Sequence, residues 1–104
     1  MTKYLEEEFK IRLHKVIECI KSYDIEYLEI GIFGSYARGE ATGRSDIDIC
    51  LVVTEKPPRQ ITGALRCDAE ELGADVVFVT REYLEGDTTF AKNLRRDWRS
   101  IDEE

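Results

Sequence analysis

The run Ile47–Val53 is the most hydrophobic stretch of this 104-residue chain, and it constrains the fold more than any other feature. Apolar residues on both faces are typical of a central strand that is covered on both sides. A second apolar run, Ala74–Val79, follows after an amphipathic helical segment from about Arg59 to Leu72. A helical crossover of this kind usually joins parallel strands of one sheet. The sequence therefore predicts a small α/β (α+β) domain.

The segments around these two runs complete a single domain that spans residues 1–104. Helical spacing of apolar residues predicts a first helix over Thr2–Ser22, and alternation predicts a strand over Leu28–Phe33. A short helix is expected over Tyr36–Ala41. The C-terminal part should form two helical pieces with a break near Gly86. The apolar stripe of the last piece consists of Phe90, Leu94, Trp98 and Ile101.

The acidic residues at the starts of the strands indicate how the strands run. Asp46 and Asp48 lie at the start of the central strand, and Asp75 lies near the start of the next one. Parallel neighbours place these starts at the same edge of the sheet. The first strand ends at Gly34-Ser35 and brings that turn to the same edge only if it runs antiparallel to the second. We therefore expect a small mixed β-sheet flanked by helices.

Asp46 and Asp48 are separated by one residue at the mouth of a strand. Because side chains alternate along a strand, both carboxylates should share one face, with Ile47 and Ile49 on the other. Two close carboxylates in a partly desolvated site repel each other unless a cation lies between them. Mg²⁺ favours one or two carboxylates together with substrate phosphates and water. With Asp75 as a third ligand, this edge could hold two metal ions.

The turn Gly34-Ser35 has the features of a phosphate site. A glycine at a strand-to-helix turn lets the backbone approach a phosphate, and the N–H groups at a helix start favour an anion. Ser35 adds a hydroxyl donor, and Arg38 offers a charge-assisted hydrogen bond to a phosphate oxygen. Each feature alone has a plainer interpretation, such as a solvated turn or a surface charge. Their combination with acids in two buried strands favours a functional site, since burying acids without a cation is costly.

Net charge and cysteines limit the class of protein. Lys and Arg total 15 against 22 Asp and Glu, a formal net charge of −7, which argues against general nucleic-acid binding. No segment reaches the roughly 18 apolar residues of a membrane-spanning helix, and the N-terminus lacks the apolar core of a signal peptide. Cys19, Cys50 and Cys67 are expected to be buried, reduced thiols. We expect a cytoplasmic protein that does not bind membranes.

The segment from Gly34-Ser35 to Asp46-Ile47-Asp48 resembles the signature of the DNA polymerase β-like nucleotidyltransferase superfamily, and Asp75 matches its third carboxylate. Nearly the whole chain is similar to the small stand-alone MNT (minimal nucleotidyltransferase) proteins of bacteria and archaea. The resemblance implies the minimal nucleotidyltransferase fold. It also implies that Asp46 and Asp48 hold two Mg²⁺ ions, and that Asp75 is a ligand and the activator of the attacking hydroxyl. The triphosphate of ATP, or of another nucleoside triphosphate, would contact Gly34, Ser35 and Arg38.

MNT proteins are commonly paired with a HEPN-domain ribonuclease toxin, and the resemblance implies such a partner here. It implies transfer of AMP from ATP to a hydroxyl of the toxin, so that the chain acts as an antitoxin. A hypothesis of a different class is a non-catalytic nucleotide-binding module that neutralises its partner by contact. Small-molecule modification and polymerase activity are less favoured, because no substrate-binding or nucleic-acid-binding domain is apparent. The sequence leaves open the preferred base, the acceptor, the oligomeric state (a homo-oligomer included) and whether the isolated domain is active.

The C-terminal end differs from that of many MNT relatives, which finish in a short apolar strand. Here the end is strongly charged, and one cluster is a candidate partner surface, since Arg and Trp are enriched at interfaces. The cluster consists of Lys92, Arg95, Arg96, Trp98 and Arg99. A solvated helix face with Trp98 in the core is an equally well supported interpretation.

Overall fold

The computed structural model of the protein describes residues 3–42 and 45–101. The helices in these ranges are α1 (Lys3–Ser22), α2 (Gly34–Arg38), α3 (Arg59–Glu71), α4 (Arg81–Leu84) and α5 (Thr89–Asp97). The strands are β1 (Glu29–Phe33), β2 (Ile47–Val53), β3 (Ala74–Thr80) and β4 (Arg99–Ser100). None of the described helices is long and apolar enough to cross a membrane.

The four strands form one mixed sheet in the order β3-β2-β1-β4. β1 runs antiparallel to β2, and β3 runs parallel to β2, as the positions of the acidic residues predict. β4 adds a short antiparallel edge beside β1. The mixed arrangement is therefore confirmed, and it brings the end of β1 and the starts of β2 and β3 to one edge of the sheet.

Helices cover both faces of the sheet. On one face, α1 and α3 pack against Ile47 and Ile49, which are fully buried in the larger apolar cluster. On the other face, Leu94 of α5 packs with Cys50 and Val52 of β2. Residues of β2 thus alternate between two apolar layers, which explains why the strand is hydrophobic along its whole length.

The C-terminal helix is shorter than its apolar spacing predicts, and the expectation that Trp98 and Ile101 extend its stripe is wrong. α5 ends at Asp97, and Trp98 already has extended backbone angles. The next residues pair with β1, and the Ile101 N–H donates to the Ile30 carbonyl over 3.1 Å. An unpaired strand edge offers a row of backbone hydrogen-bond partners. Pairing with that edge replaces a further helical turn.

Two other local predictions are corrected by the structure. The short helix α2 begins at Gly34 and ends at Arg38, ahead of the expected segment Tyr36–Ala41. The cysteines are free, but Cys50 alone is fully buried, whereas Cys19 is half-buried and Cys67 is exposed. Cys67 lies on the exposed side of α3, which buries Leu65 and Ala69 instead.

Gly31 of β1 has no room for a side chain, because the indole of Trp98 lies against it. We expect Gly31→Ala to push the indole away and to lower the free energy of unfolding by about 1–3 kcal/mol, the usual cost of overpacking. Urea denaturation followed by the fluorescence of this single tryptophan measures both effects.

Gly63→Ala is the matched control, since Gly63 lies inside α3 and a Cβ there would meet no atom within 4 Å. That substitution should stabilise the protein by roughly 0.5–1 kcal/mol through helix propensity. Equal stability changes at Gly31 and Gly63 would contradict the packing of Trp98 on β1.

Candidate active site

The backbone places Asp48 and Asp75 side by side. They are register partners on the parallel strands β2 and β3, one residue after the pair formed by Ile47 and Ala74. Ile47 and Ile49 belong to the α1/α3 layer, so Asp48 faces the other way, towards the layer of α4 and α5. Asp46 is exposed immediately before β2. The structure therefore brings the three predicted acids to one edge of the sheet.

The three carboxylates act on one another electrostatically. The pKa of Asp48 is raised, first because the carboxyl is partly buried and next because of the negative charges of Asp75 and Asp46. The positive charge of Arg38 lowers the pKa of Asp48 and opposes these effects only in part. An additional positive charge at this edge would relieve the repulsion.

The donor set at this edge suits Mg²⁺. Within residues 3–42 and 45–101, no three histidine, cysteine or acidic side chains converge tightly enough to form a complete metal site. Mg²⁺ does not need one, because it favours one or two carboxylates and takes its remaining ligands from water and substrate phosphates. Asp46, Asp48 and Asp75 offer oxygen ligands and unbalanced negative charge, and their role as metal ligands stays a prediction.

Gly34 fits the site in two ways. It has a φ of 73°, a left-handed conformation that favours glycine. A Cβ on this residue would also collide with Oδ2 of Asp48. The turn after β1 and the carboxylate of β2 are therefore in direct contact, and Ser35 follows at the second position of α2.

Arg38 is placed by two acidic partners. Its Nε lies 3.0 Å from Oε2 of Glu40, and its Nη1 lies 2.9 Å from Oδ2 of Asp97. The side chain of Asp97 is only 6% exposed and also binds Arg96. The pKa of Asp97 is lowered, first by its hydrogen bond to Arg96 and also by its bond to Arg38, which together outweigh burial. A phosphate at Arg38 would have to share the guanidinium with these carboxylates.

A comparison with protein families identifies the chain. A model of the nucleotidyltransferase domain matches residues 13–99, which include the turn after β1 and all three acids. The chain belongs to this nucleotidyltransferase family. No functionally curated protein matches the chain.

Solved structures with a similar fold include toxin–antitoxin complexes. One chain, from a toxin–antitoxin with AMP-PNP, is 24% identical, with a TM-score of 0.61 over 84% of this chain and 69% of that one. A chain from the complex of tri-AMPylated Shewanella oneidensis HEPN toxin with MNT antitoxin is 18% identical, with a TM-score of 0.60 over 88% and 69%. A minimal nucleotidyltransferase is 24% identical, with a TM-score of 0.59 over 92% and 93%. These likenesses bear out the fold.

In the nucleotidyltransferase domain, Arg12 of α1 contacts the surroundings of the candidate site, and no sequence pattern marks it. Arg12 donates to the Ser45 carbonyl over 3.1 Å and to the Tyr36 hydroxyl over 3.4 Å. It also binds Glu8 on its own helix. Arg12 thereby connects α1 to α2 and to the residue before Asp46. The sequence carries no signal for this, because its helical spacing marks only the Glu8 contact.

Several residues of the C-terminal cluster make contacts within the nucleotidyltransferase domain. Arg95 donates to the carbonyls of Leu84 and Gly86, the latter over 2.8 Å, and so connects α5 to the end of α4. Arg96 binds Asp97, and Trp98 is half-buried against β1. These contacts support the structural interpretation for Arg95, Arg96 and Trp98.

A cavity lies away from the acids. It has a volume of about 900 Å³ and opens at the opposite end of the sheet, where β1 begins and β2 ends. Leu28 and Ile61 line it together with the acidic residues Asp24, Glu26 and Glu55. The candidate site is an open edge of the sheet and is separate from this cavity.

Asp48→Asn should stabilise the metal-free protein at neutral pH. The pKa of Asp48 is raised in the folded state, so its ionisation costs stability as the pH rises from the unfolded pKa through the folded one. An amide removes that cost. Thermal denaturation in EDTA should give a higher Tm for the variant at pH 7 and a smaller difference near pH 3. A lower Tm at pH 7 would mean that Asp48 makes stabilising hydrogen bonds instead.

Proposed function

We propose that the protein is a Mg²⁺-dependent nucleotidyltransferase that transfers AMP from ATP to a hydroxyl of a partner protein. The partner is a HEPN-type ribonuclease toxin, and the transfer makes this chain its antitoxin. The observation that carries the proposal is the pairing of Asp48 with Asp75 across β2 and β3, beside Asp46 and the Gly34 turn. Family membership supports the reaction class, and the fold similarity to MNT antitoxin complexes supports the partner.

The transfer is a substitution at phosphorus. The hydroxyl oxygen of the acceptor forms a bond to the α-phosphorus of ATP, the bond between the α-phosphorus and the bridging oxygen breaks, and pyrophosphate leaves. Held by Asp46, Asp48 and Asp75, Mg²⁺ would neutralise the phosphates and lower the pKa of the attacking hydroxyl. Gly34, Ser35 and Arg38 would bind the triphosphate.

Asp75 is the residue best placed to accept the proton of the attacking hydroxyl. Its side chain is 52% exposed, so an acceptor on another protein can reach it. Asp48, in contrast, is half-buried behind the edge. Arg66 of α3 lies 3.8 Å from Asp75 and adds a positive charge beside it.

The free cysteines support a reaction in the cytoplasm, where thiols stay reduced.

A transfer assay with two labels tests the proposal. The protein is incubated with Mg²⁺ and its co-purified partner, once with ATP labelled in the α-phosphate and once with ATP labelled in the γ-phosphate. We expect the α-label to become attached to the partner and the γ-label to stay in pyrophosphate. Transfer of the γ-label would indicate a kinase, and ATP binding without any labelled protein would favour neutralisation by contact.

Arg38→Ala should weaken ATP binding roughly ten- to a hundredfold, since a charge-assisted hydrogen bond contributes about 1.5–3 kcal/mol. Arg96→Ala is the matched control, because Arg96, the residue before Asp97 in α5, binds the same carboxylate but lies outside the phosphate turn. Titration calorimetry with ATP and Mg²⁺ measures both. An equal loss in the two variants would mean that Arg38 acts only by holding Asp97.

A further inference from the structure

A row of three aromatic rings begins next to Asp48 and continues along the same face of the sheet. Phe33 is the last residue of β1, and its register partner is Asp48. Its side chain packs with Cys50 and Val52, in the layer that Asp48 also faces. Directly opposed side chains of an antiparallel pair are in contact distance of one another. Phe33 is therefore the apolar neighbour of the Asp48 carboxylate.

Two further rings continue from Phe33 across this face. The ring of Phe90 in α5 meets Phe33 edge-on, with centroids 5.8 Å apart and an angle of 82°. Tyr83 of α4 lies 6.5 Å from Phe90 at an angle of 53°. In an edge-to-face pair, the ring that contributes its edge keeps both of its own faces free of its partner, and the other ring keeps one face free. We call Phe33, Phe90 and Tyr83 the aromatic row.

The aromatic row is accessible from solvent. Phe90 and Tyr83 are each 39% exposed, whereas Leu94, one turn after Phe90, is fully buried. The other exposed large apolar side chains of the described residues lie elsewhere, on α1 or at the distant cavity: Ile11, Leu28 and Ile61. Exposed rings therefore continue from Phe33, the register partner of Asp48, along the same face of the sheet.

We propose that the aromatic row is the surface on which the base of the nucleotide stacks, with the phosphates at Asp46, Asp48 and Asp75. This inference rests on the proposed function and identifies the other half of the nucleotide site. Stacking on aromatic rings is tolerant of sequence, because every base has a π-face. Purine triphosphates should therefore bind with similar affinity, and the row itself does not select adenine.

Phe90→Leu tests the row, because it keeps an apolar side chain and removes the ring. Titration calorimetry with Mg²⁺ compares two probes: ATP and inorganic tripolyphosphate, which has no base. We expect Phe90→Leu to weaken ATP binding about tenfold, in line with the loss of one stacked ring. Tripolyphosphate binding should stay within twofold of the wild type. Phe90→Tyr should restore ATP binding, since it restores the ring.

Leu28→Ala at the distant cavity is the control for a general loss of stability and should leave both affinities unchanged. Unchanged ATP affinity in Phe90→Leu would overturn the inference, and so would an equal loss for both probes. Weaker capture of the partner protein with normal ATP affinity would identify the row as a protein contact and also overturn it.

The inference and the proposed function fail in different ways. ATP binding that depends on Phe90, without AMP transfer to any protein, would leave the base surface in place and remove the proposed reaction. AMP transfer to the partner, together with unchanged ATP affinity in Phe90→Leu, would support the proposed reaction and exclude the aromatic row as the base surface.

Discussion

Replacing Asp46 and Asp48 together by asparagine is expected to reduce AMP transfer about a thousandfold or more. A catalytic divalent ion contributes several kcal/mol to the transition state, and each 1.36 kcal/mol corresponds to a factor of ten in rate. The double variant removes two of the three acids at the edge where β2 begins. The α-phosphate label, followed under single-turnover conditions, measures the loss. Wild-type rates in the variant would exclude these carboxylates as metal ligands.

The matched control changes the net charge by the same amount, but at the other end of the sheet. Glu26→Gln with Glu55→Gln removes two negative charges at the distant cavity and should leave transfer unchanged. The same pair of double variants separates the two hypotheses about the antitoxin. If Asp46→Asn with Asp48→Asn still protects cells from the toxin, neutralisation occurs by contact. If protection is lost while the partner still co-purifies, neutralisation requires the chemistry.

Gly34→Ala is expected to lower AMP transfer about a hundredfold, because a displacement of about 1 Å at a reacting group can have that effect. The new Cβ would collide with Oδ2 of Asp48 and force this carboxylate to move. The left-handed backbone adds a loss of about 1–2 kcal/mol in the free energy of unfolding. Transfer rates and urea denaturation of the same preparation separate the two effects.

Gly39→Ala isolates the backbone contribution. Gly39 has a φ of 75°, close to the 73° of Gly34, but a Cβ there would meet no atom within 4 Å. We expect the left-handed backbone to lower the stability of both variants by a similar amount, and a loss of transfer in Gly34→Ala alone. If Gly39→Ala loses as much activity, the conformation of the turn matters rather than its contact with Asp48.

Much of the site could be predicted from the sequence, because its signals are local. The run Ile47–Val53 is apolar on both faces, and that alone indicates the central strand. Side chains along a strand alternate with a period of two. The position of Asp48 between Ile47 and Ile49 therefore predicts that its carboxylate lies on the face opposite to theirs. The crossover through α3 predicts that β2 and β3 are parallel, and therefore that Asp48 and Asp75 start at one edge. Whether these acids bind metal stays a prediction.

The tertiary structure decided the contacts between residues far apart in the chain. Arg38 binds Asp97, and Arg12 binds the Ser45 carbonyl, over separations of 59 and 33 residues. The C-terminal segment forms an edge strand because β1 offers it backbone partners and Gly31 leaves room for the indole of Trp98. The periodicity of apolar residues indicates which face of a helix or strand is apolar. It carries no information about a segment far away in the sequence, such as β1, with which the chain can pair instead of continuing a helix. The sequence alone therefore determined β1, β2, β3 and the acids, while long-range packing determined where the last helix ends, the pairing of β4 and what holds the arginines.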